Sequence, residues 1–296
     1  MDKLVNHLQN LLVELYGPEQ GQRLSEYTQQ LAQNSGFSKA HRREYSQKDV
    51  MMIAYADHVY DDKDTSVKPL EAMKHIYREY MQCLFSAVHL LPFFPSSSDG
   101  GFAVSDYYKV DENFGDWETL QSLPCDLMYD VVLNHSSSDH PWFKKYLQGQ
   151  HPYSDYYLGF SDKELTDELT AKLDEVTRPR STPLLTKYNG ASGPRHVWTT
   201  FSPDQVDLNF KSPEVFIETL KIIKFYVDNG AKFLRIDAVP FLWKDIGSSC
   251  MSLEKTHMLV KAYRSFLDLY APDVSLITES NVPHAENISY FGDKTD

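Results

Sequence analysis

The chain has 296 residues, 42% of them hydrophobic and 24% charged, with a formal net charge of −13. These proportions describe a globular, enzyme-sized protein of one large domain or two small ones, and the acidic balance argues against nucleic acid or an anionic membrane surface as partner. Cys83, Cys125 and Cys250 are odd in number and scattered, without CxxC or Cys/His spacing, so they read as reduced thiols of a cytoplasmic protein and not as a disulfide framework or zinc site.

The N-terminus, MDKLVNHLQNLLVELYG, places leucines at 4, 8, 11, 12 and 15, which is helical spacing. It contains Glu14 and lacks a basic leader and a cleavage site, so it reads as a helix and not a signal peptide. A second helix is predicted over 18–35. No stretch approaches the roughly 18 apolar residues that a membrane span needs. Strands and helices then alternate: strand Met51–Ala56, helix Val67–Cys83, strand Ala87–Phe93, short helix Asp116–Leu123 and strand Asp126–Leu133. Pattern is lost over Ser136–Thr200, which is rich in Ser, Pro, Gly, Tyr and Lys and too long for an ordinary loop. Alternation resumes with helix Pro213–Asn229, strand Lys232–Ile236, helix Leu253–Tyr270 and strand Val274–Thr278. Continuous apolar strands separated by helices predict a parallel sheet covered on both faces. The 19 Tyr and 16 Phe fit a cleft that stacks sugar rings and a large core equally well.

Polar residues recur at one kind of position. Asp99 follows the second strand, Asp130 to His135 end the third, Asp237 ends the fourth and Glu279 the fifth. In parallel α/β folds the loops at the carboxyl ends of strands converge on one face and build the site there. Two carboxylates from neighbouring strands, Asp237 and Glu279, suit glycosyl transfer, one attacking the anomeric carbon and the other protonating the leaving oxygen. Arg235 faces the same side as Asp237 and is expected to hold it ionised, since a nearby cation lowers an acid's pKa; its plainer reading is a buried ion pair. Asp99 and His135 are candidates for binding sugar hydroxyls, although His135 alone reads more readily as a structural histidine.

The segments DVVLNH (130–135), QVDLN (205–209), FLRIDAVP (233–240) and ITESNVPH (277–284) occur in this order. Through them the chain resembles the α-amylase family of glycoside hydrolases, family 13. LPFFPSSSDGGF (91–102), VTRPRSTPLLTKY (176–188), VWTTFSPDQVDLNF (197–210) and NVPHAENISYFGDKTD (281–296) place the resemblance in its sucrose phosphorylase-like branch. The resemblance runs from about residue 50 to the last residue. It implies an α/β fold of (β/α)8 TIM-barrel type, of which the first five units are present. The implied divisions are an N-terminal helical segment (1–50), a first barrel part (51–135), an inserted B domain after the third strand (136–200) and a second barrel part (201–296).

The same resemblance implies a retaining mechanism with Asp237 as nucleophile and Glu279 as general acid/base. Asp99, Phe102, His135 and Arg235 would line the glucosyl subsite, with Phe201 and Gln205 facing the glucosyl unit and the acceptor. It implies no metal and no cofactor, with inorganic phosphate as co-substrate; Asn134, whose counterpart binds calcium in many amylases, is expected to be structural. The implied reaction is phosphorolysis of an α-glucoside (sucrose, a glucosylglycerate or glucosylglycerol, or sucrose 6-phosphate) to α-glucose 1-phosphate. A hydrolase or transglucosylase, or an inactive fragment, is the alternative. The expected partners are a small sugar and phosphate, with a homodimer left open.

Two features depart from the family pattern. GDWETLQSLPCDLMYD passes from the second barrel helix into the third strand with that helix clipped and Pro124 in the join. The sequence also stops after the fifth strand, before the motif that carries the family's third carboxylate. It is therefore expected to be the front part of a longer protein, with open strand edges and no activity alone.

Overall fold

The apolar runs become strands of one parallel sheet in the computed structural model, which describes residues 2–33 and 42–292. The strands are β1 (Met51–Ala54), β2 (Ala87–Leu90), β3 (Asp126–Val131), β4 (Ala231–Ile236) and β5 (Ser275–Thr278), adjacent in that order. β1 to β3 end earlier than their apolar runs because the chain turns there into the loops above the sheet. Residues 34 and 35, the predicted end of the second helix, lie outside the described residues; the helix is seen over Pro18–Gln33. Helix Val67–Cys83 is shorter than predicted. It starts at Pro69, a residue suited to the first helical position, and after Ile76 widens into a π-type turn over Tyr77–Met81. The clipped helix is five residues, Trp117–Gln121, started by the Asp116 carboxylate accepting from the Thr119 amide at 2.8 Å.

Alternation along each strand decides what faces inward. In β4, Leu234 and Ile236 turn outward and are fully buried under helices, whereas Phe233 and Arg235 turn inward. Register aligns Ile53, His89, Met128, Phe233 and Ser275 in one inward layer. One step nearer the carboxyl ends lie Asp130, Arg235 and Ile277. A mostly apolar layer thus supports a charged one. Beneath it, the Arg43 guanidinium lies 4.7 Å from the Phe233 ring centre and pairs with Asp126 at 2.6 Å and Asp49 at 2.9 Å.

The outer layer contains helices Pro213–Asp228 and Glu254–Tyr270, with Phe216, Leu220, Leu259, Tyr263 and Phe266 completely buried. Each such side chain contributes roughly 1.5–3 kcal/mol. Helices Asp2–Tyr16 and Pro18–Gln33 pack together against this layer through Leu8, Leu12 and Leu24. No helix among the described residues is long and apolar enough to cross a membrane.

The stretch that carries no pattern in the sequence has structure of its own. His135–Ser137 pairs antiparallel with Gln205–Asp207, so the chain leaves the barrel and returns at one place. Between them, Gly193–Trp198 is the middle strand between Gly159–Phe160 and Leu185–Gly190. These strands are short, polar and half-exposed, which is why alternation does not reveal them. A small apolar cluster of Phe160, Leu173, Val176, Trp198 and Cys250 lies beside them.

Candidate active site

Loops from both the barrel and the insert meet at the carboxyl ends of the strands around a cleft of about 340 Å³, a size suited to a small ligand. The loop after β2 brings Asp99 and Phe102, and the stretch after β3 brings His135. β4 brings Arg235 and Asp237, β5 brings Glu279, and the returning end of the insert brings Phe201 and Gln205. The eight residues expected to be catalytic or substrate-binding all line this one cleft, whereas Asp130 and Asn134 lie behind it.

The pairing among the charges differs from expectation. Asp130 is fully buried and accepts hydrogen bonds from Arg235 Nη1 and from His89 Nε2, the latter at 2.8 Å. Arg235 Nη2 lies 2.9 Å from Glu279 Oε1, but Nη1 is 3.5 Å from Asp237 Oδ1. One guanidinium serves three carboxylates, and Asp237 has the weakest contact. Register is the reason. Residues two apart on a strand are separated by about 6.6 Å, whereas neighbours on adjacent strands lie about 4.8 Å apart. Asp130 is the in-register neighbour of Arg235.

The proton balance follows. Burial, then the Glu279 charge and the hydrogen bond between the two carboxyls, raise Asp237 well above the usual carboxylate range, and Arg235 offsets only part of this. Glu279 moves the other way. Burial pushes it up, but the Ala238 amide, donating to Oε2 at 2.9 Å, and Arg235 together hold it below its ordinary value. The two carboxyls titrate as a pair, with Asp237 pushed up and Glu279 held down. Arg235 acts on Asp237 in the expected direction, but burial and the Glu279 charge outweigh it. Ala238 itself sits in the left-handed region at φ 52, a strain of about 1–3 kcal/mol that aims its amide at Glu279.

On the opposite wall, Gln205 Nε2 donates to Asp99 Oδ2 at 2.8 Å and lies 3.1 Å from His135 Nε2. His135 is buried, and burial pushes its imidazole below the usual pKa, so it is neutral. The network assigns its Nε2–H to the Phe102 carbonyl at 3.0 Å and makes Nδ1 the acceptor from Asn134 at 3.3 Å. The Arg235 guanidinium lies 5.9 Å from the Phe102 ring centre, and Phe201 packs against His135 and Phe241.

The Asp99 loop depends on Gly101, whose φ is +103 and where a Cβ would lie 2.4 Å from the Pro92 carbonyl oxygen. Gly101→Ala is expected to destabilise the fold by about 1–3 kcal/mol. A denaturant midpoint equal to wild type would refute this.

Several site residues escape the sequence reading. Tyr55 lines the cleft just after β1, hidden inside a run that reads as strand. Arg180, from VTRPRST, is exposed at the lip and makes no side-chain hydrogen bond or ion pair among the described residues. Lys244 is buried behind the cleft. Its ammonium meets Asp207 Oδ2 at 2.8 Å, Asn134 Oδ1 at 2.9 Å and the carbonyls of Leu208 and Leu242 at 3.4 and 3.5 Å. Burial lowers its pKa, and Asp207 opposes that. No group of three or more His, Cys, Asp or Glu among the described residues could hold a metal ion.

Comparison with known proteins identifies the family and the fold. The alpha-amylase catalytic domain matches residues 78–296. Glucosylglycerate phosphorylase of Escherichia coli (strain K12) is 45% identical over 254 residues, covering 85% of this chain and 44% of that protein. The enzyme of the same name from Allomeiothermus silvanus is 41% identical over 300 residues, covering 100% of this chain and 52% of that protein. The chain spans about half the length of the curated relatives it matches. Sucrose 6F-phosphate phosphorylase from Thermoanaerobacter thermosaccharolyticum superposes with a TM-score of 0.70 at 24% identity, over 80% of this chain and 49% of that one, a likeness of fold. With a five-stranded parallel sheet, an insert after β3 and these matches, the chain belongs to the alpha-amylase catalytic-domain family.

Proposed function

We propose that the cleft performs retaining glucosyl transfer to phosphate, with an α-glucosylglycerate as donor. The observation that carries this reading is that Asp237 and Glu279 meet on one guanidinium in the cleft, Arg235 Nη1 standing 3.5 Å from Asp237 Oδ1 and Nη2 2.9 Å from Glu279 Oε1. An inverting pair stands about 6.5–9.5 Å apart to admit a water, and a retaining pair about 5–5.5 Å apart. Two carboxyls held on the same guanidinium suit the close-spaced, retaining arrangement.

In the proposed sequence Glu279 carries the proton and Asp237 is ionised when the donor is seated beside Arg235. Asp237 then attacks the anomeric carbon, the glycosidic bond breaks, and the leaving oxygen takes the proton from Glu279. A phosphate oxygen next attacks the same carbon, Glu279 takes back the phosphate's proton, and the ester to Asp237 breaks to give α-glucose 1-phosphate. Asp99, Gln205 and His135 form the polar wall that would hold the glucosyl hydroxyls, with Phe102 and Phe201 beside it.

The donor class is supported by relatives of 40–45% identity that are named glucosylglycerate phosphorylases. Arg180 supports it as well. A guanidinium without an internal partner at the lip suits an anion, whether phosphate or the carboxylate of glycerate. In the full chain, donor consumption is expected to rise with phosphate and to yield α-glucose 1-phosphate. Arg180→Ala is expected to raise the KM for phosphate about tenfold, a loss the size of one charge-assisted contact. Free glucose as the main product at saturating phosphate would make the protein a hydrolase and overturn the reading.

A further inference from the structure

The loop that carries Asp99 has little packing to hold it. Ser97 to Gly100 are exposed, and behind them lies a second cavity of about 280 Å³ bordered by Tyr55, Pro92 and Phe114. Backbone bonds close its base, from the Ser97 amide to the Ala103 carbonyl at 3.1 Å and from the Ser105 amide to the Pro95 carbonyl at 2.8 Å, and the side chains of its tip are fastened by the residues that follow the insert. Asp204 Oδ2 accepts from the hydroxyls of Ser97 and Ser98, each at 2.5 Å. Its Oδ1 accepts from the Ser138 hydroxyl at 2.6 Å and the Ser138 amide at 3.3 Å. Ser137 Oγ lies 2.6 Å from Ser97 Oγ and extends the cluster. One carboxylate therefore ties the loop after β2 to the first residues of the insert, and the next residue in the chain, Gln205, holds Asp99 itself.

We propose that Asp204 is a positioning residue: by clasping Ser97, Ser98 and Ser138 it keeps Asp99 and Gln205 at the spacing that grips a glucosyl unit. This rests on the glucosyl-transfer reading of the cleft. Asp204 touches no substrate and acts through the two residues that line the site. Partial burial pushes its carboxyl up, but the three hydroxyls outweigh this and hold it below its usual value, so the clasp is charged at neutral pH. Hydrogen bonds to a charged acceptor are the stronger kind, and they fix the loop where apolar packing does not. A displacement of about 1 Å in a positioning group can cost on the order of 100-fold.

The test uses the full chain. Asp204→Asn should raise the donor KM about tenfold or more while kcat changes less than about threefold and the melting temperature stays close to wild type. Ser97→Ala with Ser98→Ala should give the same KM rise from the other side of the clasp. Combined with Asp204→Asn it should add nothing, because both remove one interaction. An unchanged KM, or effects that add in full, would overturn the proposal, as would equal loss of kcat and stability. If the wild-type chain makes no glucose 1-phosphate, the reaction assignment fails and D-glucose affinity by calorimetry decides the clasp separately. Weaker glucose binding in the variants would uphold it. Equal binding, or none by wild type, would sink it.

Discussion

Asp237→Asn is expected to lower glucosyl transfer by on the order of 10⁴–10⁶-fold in the full chain, because no covalent glucosyl intermediate can form without the attacking oxygen. The substitution is nearly isosteric, so it leaves no cavity. Its effect on stability has the opposite sign. Asp237 has a folded-state pKa raised above the unfolded carboxyl value of about 3.9. The folded state therefore disfavours ionisation, and wild type loses stability as pH rises through and above about 4. Asn carries no such penalty. The variant should melt above wild type at pH 7, and the advantage should vanish below about pH 4, where Asp237 is protonated in both states. Glu279→Gln provides the contrast. An activated donor such as α-glucosyl fluoride needs little acid help and should still glucosylate Asp237, whereas an ordinary donor should not. Intact mass spectrometry checks both variants. A glucosyl adduct on Asp237→Asn, or equal loss with both donors for Glu279→Gln, would remove the assigned roles.

Lys244→Ala should produce the largest loss of stability, about 3–5 kcal/mol, the usual result of stripping one partner from a buried ion pair. Asp207 is completely buried and also accepts from the Thr200 amide and hydroxyl, each at 2.7 Å, and from Asn134 at 3.0 Å. Those bonds keep its carboxylate in place, so removal of the ammonium leaves a buried negative charge without its direct ion pair, with Arg178 interacting only at longer range. The loss should also loosen His135, which is linked to the pair through Asn134. Lys244→Met with Asp207→Asn removes both charges and should recover most of the stability. Guanidinium unfolding of the three proteins decides the matter. A single variant within about 1 kcal/mol of wild type would show that the pair contributes little.

The site was legible in the sequence where chemistry follows from position along one strand. Asp237 and Glu279 stand just past β4 and β5 because an apolar run ending in a carboxylate marks the top of a parallel sheet. What depends on a neighbouring strand was not legible. Arg235 and Asp237 are two residues apart and invite pairing, yet Asp130, 105 residues earlier, is the closer partner because register brings it alongside. Lys244 carries no motif that marks it in the sequence; its partner Asn134 lies 110 residues away. Asp204 looks like a turn residue before QVDLN, and only folding shows that it gathers three serines. The insert's strands were missed for a different reason, since half-exposed antiparallel strands alternate only weakly.

The placement of β3 beside β4 also bears on how the chain is made. Asp130 must wait for Arg235, and at about 5–20 residues per second a ribosome needs about 5–20 s to add the 105 residues between them. If β3 docks on β2 within that interval, its other edge is bare. A bare strand edge recruits passing strands, and an inward-pointing charge is among the features that discourage them. His89 is already synthesised and can hold Asp130 in place at 2.8 Å from the β2 side. The carboxylate that anchors Arg235 in the folded sheet is thus also the kind of charge that discourages a wrong partner at that edge.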